Sequence, residues 1–170
     1  MPYKPTMHNY VESCTQMTEV RTSVDINASI EEVFAAFTDW AAQGEWMVGT
    51  TVEVTKGDGR SVGSELSAFT GVHLGFKIGF LDTMTITDWQ EPYRVDVLHT
   101  GRVVKGTGVM EVVALAGGQS RFLWSEDLDL PLGAVGRLGW PLVRPAFIAG
   151  VNHSLKQLGR YIERQSDQKA

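Results

Sequence analysis

The sequence predicts an α+β fold in which a curved antiparallel sheet of about seven strands wraps around one long C-terminal helix, with one or two short helices after the first strand. Three observations predict it. Apolar and polar residues alternate through Met17–Ile26 and again, strand after strand, from Thr50 to Leu130. A helix-starting signature, Ser29-Ile30-Glu31-Glu32, stands between those two regions. A long apolar segment, Gly133 to about Arg164, ends the pattern. An antiparallel sheet of this size must cover one face, and only one long apolar helix is available to cover it.

In chain order, residues 1–16 lack periodicity and are expected to form a loosely held arm; residues 17–165 form the domain and 166–170 a short tail. Val20, Thr22, Val24 and Ile26 give the first strand one inward face. Ser29 can accept the amide of Glu32, whose carboxylate reaches back, and the helix behind this box turns Val33, Phe34 and Phe37 inward before ending near Asp39. Trp40–Val48 reads as one irregular helical turn anchored by Trp46. Six strands follow: Thr50–Lys56, Ser61–Thr70, Phe80–Trp89, Tyr93–Thr100, Gly106–Leu115 and Ser120–Leu130. Gly57-Asp58-Gly59-Arg60, Gln90-Glu91-Pro92, Gly101–Lys105 and Ala116-Gly117-Gly118-Gln119 separate them at hairpin lengths, while Gly71–Gly79 reads as a bent or bulged passage.

The last segment divides in two. From Val151 onward it is amphipathic, with Val151, Leu155, Leu158 and Ile162 on one face. Between Leu130 and Val151 the only charges are Arg137 and Arg144, and apolar residues point all round, so protein, ligand or membrane must cover several sides. Pro141 and Pro145 lack amide donors and predict a kink or a delayed helix start.

Composition narrows the function. A chain of 170 residues buries roughly 70% of its unfolded surface and folds without metal or disulfide. Cys14 is the one cysteine, which excludes an internal disulfide and a cysteine zinc cluster; with no signal-peptide run, a cytoplasmic location is expected. A net charge of −5 with scattered Lys and Arg argues against nucleic acid. Arg137, Pro141, Arg144 and Pro145 interrupt the apolar segment and argue against a membrane span. The four histidines are too dispersed for a metal site, no glycine-rich phosphate loop calls for a cofactor, and neither Ser125 nor Ser154 sits in a nucleophile elbow.

Ile26-Asn27-Ala28-Ser29-Ile30-Glu31-Glu32-Val33-Phe34, Trp46 with Val54, Val62-Gly63-Ser64-Glu65-Leu66, Glu91-Pro92, Leu123-Trp124-Ser125-Glu126 and Leu155–Glu163 occur in an order that resembles the START-like, helix-grip (SRPBCC) superfamily of polyketide cyclases and dehydrases, lipid-transfer domains and related binders. The family usually has proline where Ser29 stands. The resemblance spans roughly residues 17–165 and implies a cavity between sheet and helix without implying one reaction.

On that reading Trp46, Met84, Ile86, Val97, Phe122, Trp124, Leu142 and Phe147 are the ligand-lining candidates. Strand parity places three ionisable residues where apolar ones are expected: Asp82 with Phe80, Met84 and Ile86; His99 with Tyr93, Val95 and Val97; Glu126 with Phe122, Trp124, Leu128 and Leu130. Carboxyl groups held in apolar surroundings, with an imidazole to relay protons, are what a cyclase or dehydratase acting on a ketone-bearing chain needs. The plainer alternative has Asp82 and His99 reaching water at strand ends, and a bulge at Gly106–Gly108 would invert the parity. His73 is a candidate gate or a plain loop residue; Asp127, Asp129, His153, Arg102 and Lys105 are expected in solvent.

The expected partner is an apolar small molecule, such as a lipid, polyketide or isoprenoid-like compound, held without cofactor. A cyclase/dehydratase using Glu126, Asp82 or His99 is the alternative, and a homodimer covering residues 134–150 is a third.

Overall fold

The computed structural model describes residues 18–73, 77–129 and 134–167. Strand β1 (Thr18–Ile26) leads to helix α1 (Ile30–Phe37) and a short 3₁₀ helix (Trp40–Glu45). Strands β2 (Thr50–Lys56), β3 (Glu65–His73), β4 (Lys77–Gln90), β5 (Arg94–His99), β6 (Lys105–Ala114) and β7 (Ser120–Asp129) follow, and helix α2 (Ala134–Asp167) closes the chain. All seven strands form one antiparallel sheet in the order β1-β7-β6-β5-β4-β3-β2. The first strand thus returns beside the last, and the helical segments between β1 and β2 bridge the two edges.

Ser29 caps α1 in both directions: its hydroxyl accepts the Glu32 amide at 3.3 Å, and the Glu32 carboxylate accepts the Ser29 amide at 2.9 Å. The cap aims Val33, Phe34 and Phe37 into the core, where Phe34 meets Trp89 edge-on and Phe37 meets Phe122 at 5.0 Å between ring centroids. Leu155, Leu158 and Ile162 of α2 are buried against the same cluster, with Ile26, Val95 and Val112 from the sheet. Full burial of each such side chain stabilises the fold by about 1.5–3 kcal/mol relative to exposure.

Several boundaries differ from expectation. Residues before Glu65 are a turn rather than strand, because Asp58 Oδ1 accepts from Arg60 N, Ser61 Oγ and Ser64 Oγ and folds the chain on itself. Of the bent or bulged passage expected at Gly71–Gly79, the paired residues 71–73 and 77–79 carry no bulge: β3 and β4 stay in register from Glu65↔Thr85 to His73↔Lys77, with Gly71 opposite Gly79, and residues 74–76 lie outside the described residues. A β-carbon on Gly71 would lie 2.7 Å from the α-carbon of Gly79, so this tight pair needs two glycines. The side chain of His73, the candidate gate, lies outside the described residues, as does the arm 1–16.

Helix α2 starts at Ala134 without the delay that is one of the two expected outcomes, and helical hydrogen bonding continues past Pro141 and Pro145 to Asp167, two residues into the expected tail. The prolines remove the donors for the carbonyls of Arg137 and Pro141. Residues 141–147 are exposed, so water can serve the Pro141 carbonyl that Pro145 leaves without an amide. No helix among the described residues is long and apolar enough to cross a membrane.

Candidate functional site

Each strand on the inner face of the sheet changes character along its length. Ile86, Val95, Val112 and Phe122 belong to the packed core. Further along the same strands, Met84 and Asp82, Val97 and His99, Met110, and Trp124, Glu126 and Leu128 instead line a cavity of about 380 Å³. From α2, Phe147, Gly150, Val151 and Ser154 face it, spaced three or four residues apart as one helix face requires. The remaining wall comes from β2, β3 and the 3₁₀ helix, including Trp40, Val52, Leu66 and Ala68.

The polar centre of this cavity is a three-residue cluster. His99 Nδ1 lies 2.7 Å from Asp82 Oδ2, and His99 Nε2 lies 2.8 Å from Glu126 Oε2. Trp124 Nε1 donates to Glu126 Oε1 at 2.6 Å. Asp82, His99 and Glu126 are 7%, 8% and 8% exposed, so none of them reaches out to bulk water from a strand end.

Strand register explains how three distant residues meet. His99 stands opposite Met84 on β4, and Asp82 is two residues further along the same face, within diagonal reach. Glu126 lies on the other side of β6, opposite Gly108, which in turn faces Val97. A β-carbon at position 108 would come within 3.0 Å of Glu126 Oε1, 3.1 Å of Oε2 and 3.0 Å of Val97 Cγ2. Gly108 therefore leaves the gap over β6 through which Glu126 reaches His99. The glycines do not insert a bulge; β6 pairs with β5 from Gly106 to Glu111 and with β7 from Lys105 to Ala114 without a register shift, and the parity of β7 is kept.

Burial works against the charged form of His99, but hydrogen bonds to Asp82 and Glu126 and the attraction of both carboxylates outweigh it and raise its pKa from 6.5 to about 10. At neutral pH the ring is an imidazolium that donates to a carboxylate on each side. Among the described residues no group of three or more His, Cys, Asp or Glu is arranged to hold a metal ion.

The lining candidates divide. Met84, Val97, Trp124 and Phe147 line the cavity. Trp46, Ile86 and Phe122 are buried in the packed core instead, and are not among the lining residues. Leu142 faces solvent at 84% exposure: it lies five residues before Phe147, which turns it away from the cavity-facing stripe. Ala146 and Phe147 are the residues of 138–148 that reach the cavity wall. Missed in the sequence were Gln43, Thr50, Thr70 and Ser154, small polar groups on four different elements whose convergence has no local signal. Asp127 is half-buried, while Asp129, His153, Arg102 and Lys105 are exposed. Tyr93 lies outside β5 and is exposed.

Comparison with known proteins agrees with this architecture. Among curated proteins no sequence matches the chain. A protein from Thermus thermophilus has the same fold with a TM-score of 0.70 at 19% identity, covering 88% of this chain and 99% of that one. A conserved protein from Geobacillus kaustophilus gives 0.69 at 16%, covering 86% and 96%. The Zhui aromatase/cyclase of a Streptomyces species gives 0.68 at 14%, covering 88% and 96%. At such identities the likeness establishes the fold alone. The model of the family described as polyketide cyclase / dehydrase and lipid transport matches residues 17–163. The chain belongs to that family, and its seven-stranded sheet around α2 is the ligand-binding helix-grip fold of the START-like superfamily.

Proposed function

We propose that the protein binds an apolar small molecule in the cavity between the sheet and α2. The observation that carries this reading is the cavity itself: about 380 Å³, walled by Trp40, Val52, Leu66, Met84, Met110 and Phe147, and left open where a packed core has none. Its buried ionic cluster of Asp82, His99 and Glu126 gives such a ligand a place to be oriented. Trp40 and Trp124 lie in the wall, so occupancy by the neutral apolar dye Nile red changes tryptophan emission in a saturable way. Ala146→Trp, at the helix side of the cavity, weakens binding about tenfold or more by filling it. Absence of saturable binding by Nile red, together with no co-purifying small molecule in native mass spectrometry, would defeat the proposal.

A second reading, a cyclase/dehydratase-type enzyme, is favoured by the Asp82–His99–Glu126 cluster. Dehydration of a β-hydroxyketone needs one group to take a proton from carbon while another gives a proton to the departing hydroxyl, which leaves as water. In that reading the His99 imidazolium releases its hydrogen bond to Glu126 to give the proton, and the freed Glu126 carboxylate takes the proton from carbon. Glu126→Gln then abolishes turnover and leaves Nile red binding nearly intact; an unchanged rate removes Glu126 from any such mechanism.

A further inference from the structure

The hydrogen-bond inventory of the buried cluster specifies the ligand more narrowly than its apolar walls do. Two hydrogen bonds join Asp82 to His99 and His99 to Glu126, and each needs one proton. Stripped of protons, two carboxylates and an imidazolate carry three negative charges; two shared protons leave one, wherever each proton resides. No Lys or Arg lines the cavity, so the remaining charge has no partner there among the described residues. An unpaired buried charge is costly, and a bound group of opposite sign or strong donor character relieves that cost.

Donors and acceptors at this end are equally one-sided. Both ring nitrogens of His99 face carboxylate oxygens, and the indole N–H of Trp124 is given to Glu126 Oε1. Every N–H of the cluster is engaged. Acceptor capacity, in contrast, is left over: two carboxylates offer about eight lone-pair sites, of which three are used. Asp82 Oδ1 is buried and has no hydrogen-bond partner. Glycine at position 101 keeps it uncrowded, since a β-carbon there would approach to 2.9 Å. A ketone or carboxylate arriving at this cluster finds no free N–H within it, whereas an N–H or O–H finds several acceptors. Trp124 and Phe80 also border the cavity, and aromatic rings of this kind attract cations over their faces.

We infer that the cavity selects apolar molecules ending in a hydrogen-bond donor without negative charge, with a protonated amine as the best-matched class and a carboxylate as the excluded one. This rests on the reading that the cavity binds an apolar small molecule. The imidazolium state of His99 at neutral pH agrees with both protons residing on the ring.

Matched probes test it: naphthylmethylamine, naphthylmethanol and naphthoate, with decylamine, decanol and decanoate as a second set, titrated calorimetrically at neutral pH against the full chain. Within each set the amine binds at least about tenfold tighter than the carboxylate, with the alcohol between. Asp82→Asn, checked for folding by circular dichroism, removes the net charge and shrinks the gap to about threefold or less; should it not fold, the wild-type series decides alone. Equal affinities, or a tighter carboxylate, while Nile red still binds would overturn the selectivity and leave apolar binding standing. If Nile red and all six probes fail, both fall together.

Discussion

Helix α2 packs at one end and stands open at the other, and the difference separates stability from recognition. In its second half Leu155, Leu158 and Ile162 are sealed against β1, α1 and the aromatic cluster. In its first half Leu138 is 81% and Leu142 84% exposed, and the face toward the sheet borders a cavity rather than a core. The strands repeat the division, with Phe122 in the core and Glu126 in the cavity on β7. One end supplies contacts dense enough to hold the fold. The other supplies space, together with a buried ionic cluster that must hold its own geometry.

The largest test of that contrast falls on the cluster. His99→Ala leaves Asp82 and Glu126 facing each other without the cation between them, and destabilises by about 3–5 kcal/mol in urea titration at neutral pH, as removal of one partner from a buried ion pair does. Leu158→Ala, in the sealed half, costs about 2–5 kcal/mol through lost burial and the cavity left behind.

A comparable effect comes from pH. The folded-state pKa of His99 is raised, so its stabilisation is complete below about 6.5, its unfolded value, and is lost as pH rises through about 10. Urea midpoints at pH 7 and pH 10 should therefore fall more steeply for the natural chain than for His99→Gln. Gly108→Ala crowds Glu126 and Val97 and costs about 1–3 kcal/mol, with Nile red binding altered as Glu126 shifts. Smallest is Leu142→Ser, which changes stability by no more than about 0.5 kcal/mol. If Leu142→Ser proves as damaging as Leu158→Ala, the two ends of α2 are not different in kind, and a covering partner for the first half must be sought by light scattering.

Much of this arrangement was legible in the chain because it follows local rules. The Ser29–Glu32 box, the alternation of β1 and β7, and the 151–155–158–162 stripe each repeat at the period of their own element, and each is observed. Parity also placed Asp82, His99 and Glu126 on inward faces. It did not say that they touch, since their contact depends on the order β7-β6-β5-β4 and on the gap at Gly108 between two of them. Gly106 and Gly108, read along the chain, look like a bulge; only the neighbouring strands show that Gly108 is a window. The prolines of α2 misled for a related reason: a proline's penalty depends on whether water can reach the carbonyls it frees, and residues 141–147 are exposed.

The sequence by itself determined the element types, their order, the antiparallel wrapping of one helix and the inward parity of the ionisable residues. Hydrophobic period and capping chemistry act within a few residues, and so can be read there. The tertiary structure alone decided that the inward carboxylates converge on one imidazole, that Trp46, Ile86 and Phe122 fill the core while Met84, Val97 and Trp124 wall a cavity, and that Leu142 faces water. Those outcomes turn on distances between strands far apart in the chain and on where α2 crosses the sheet, which no local pattern encodes.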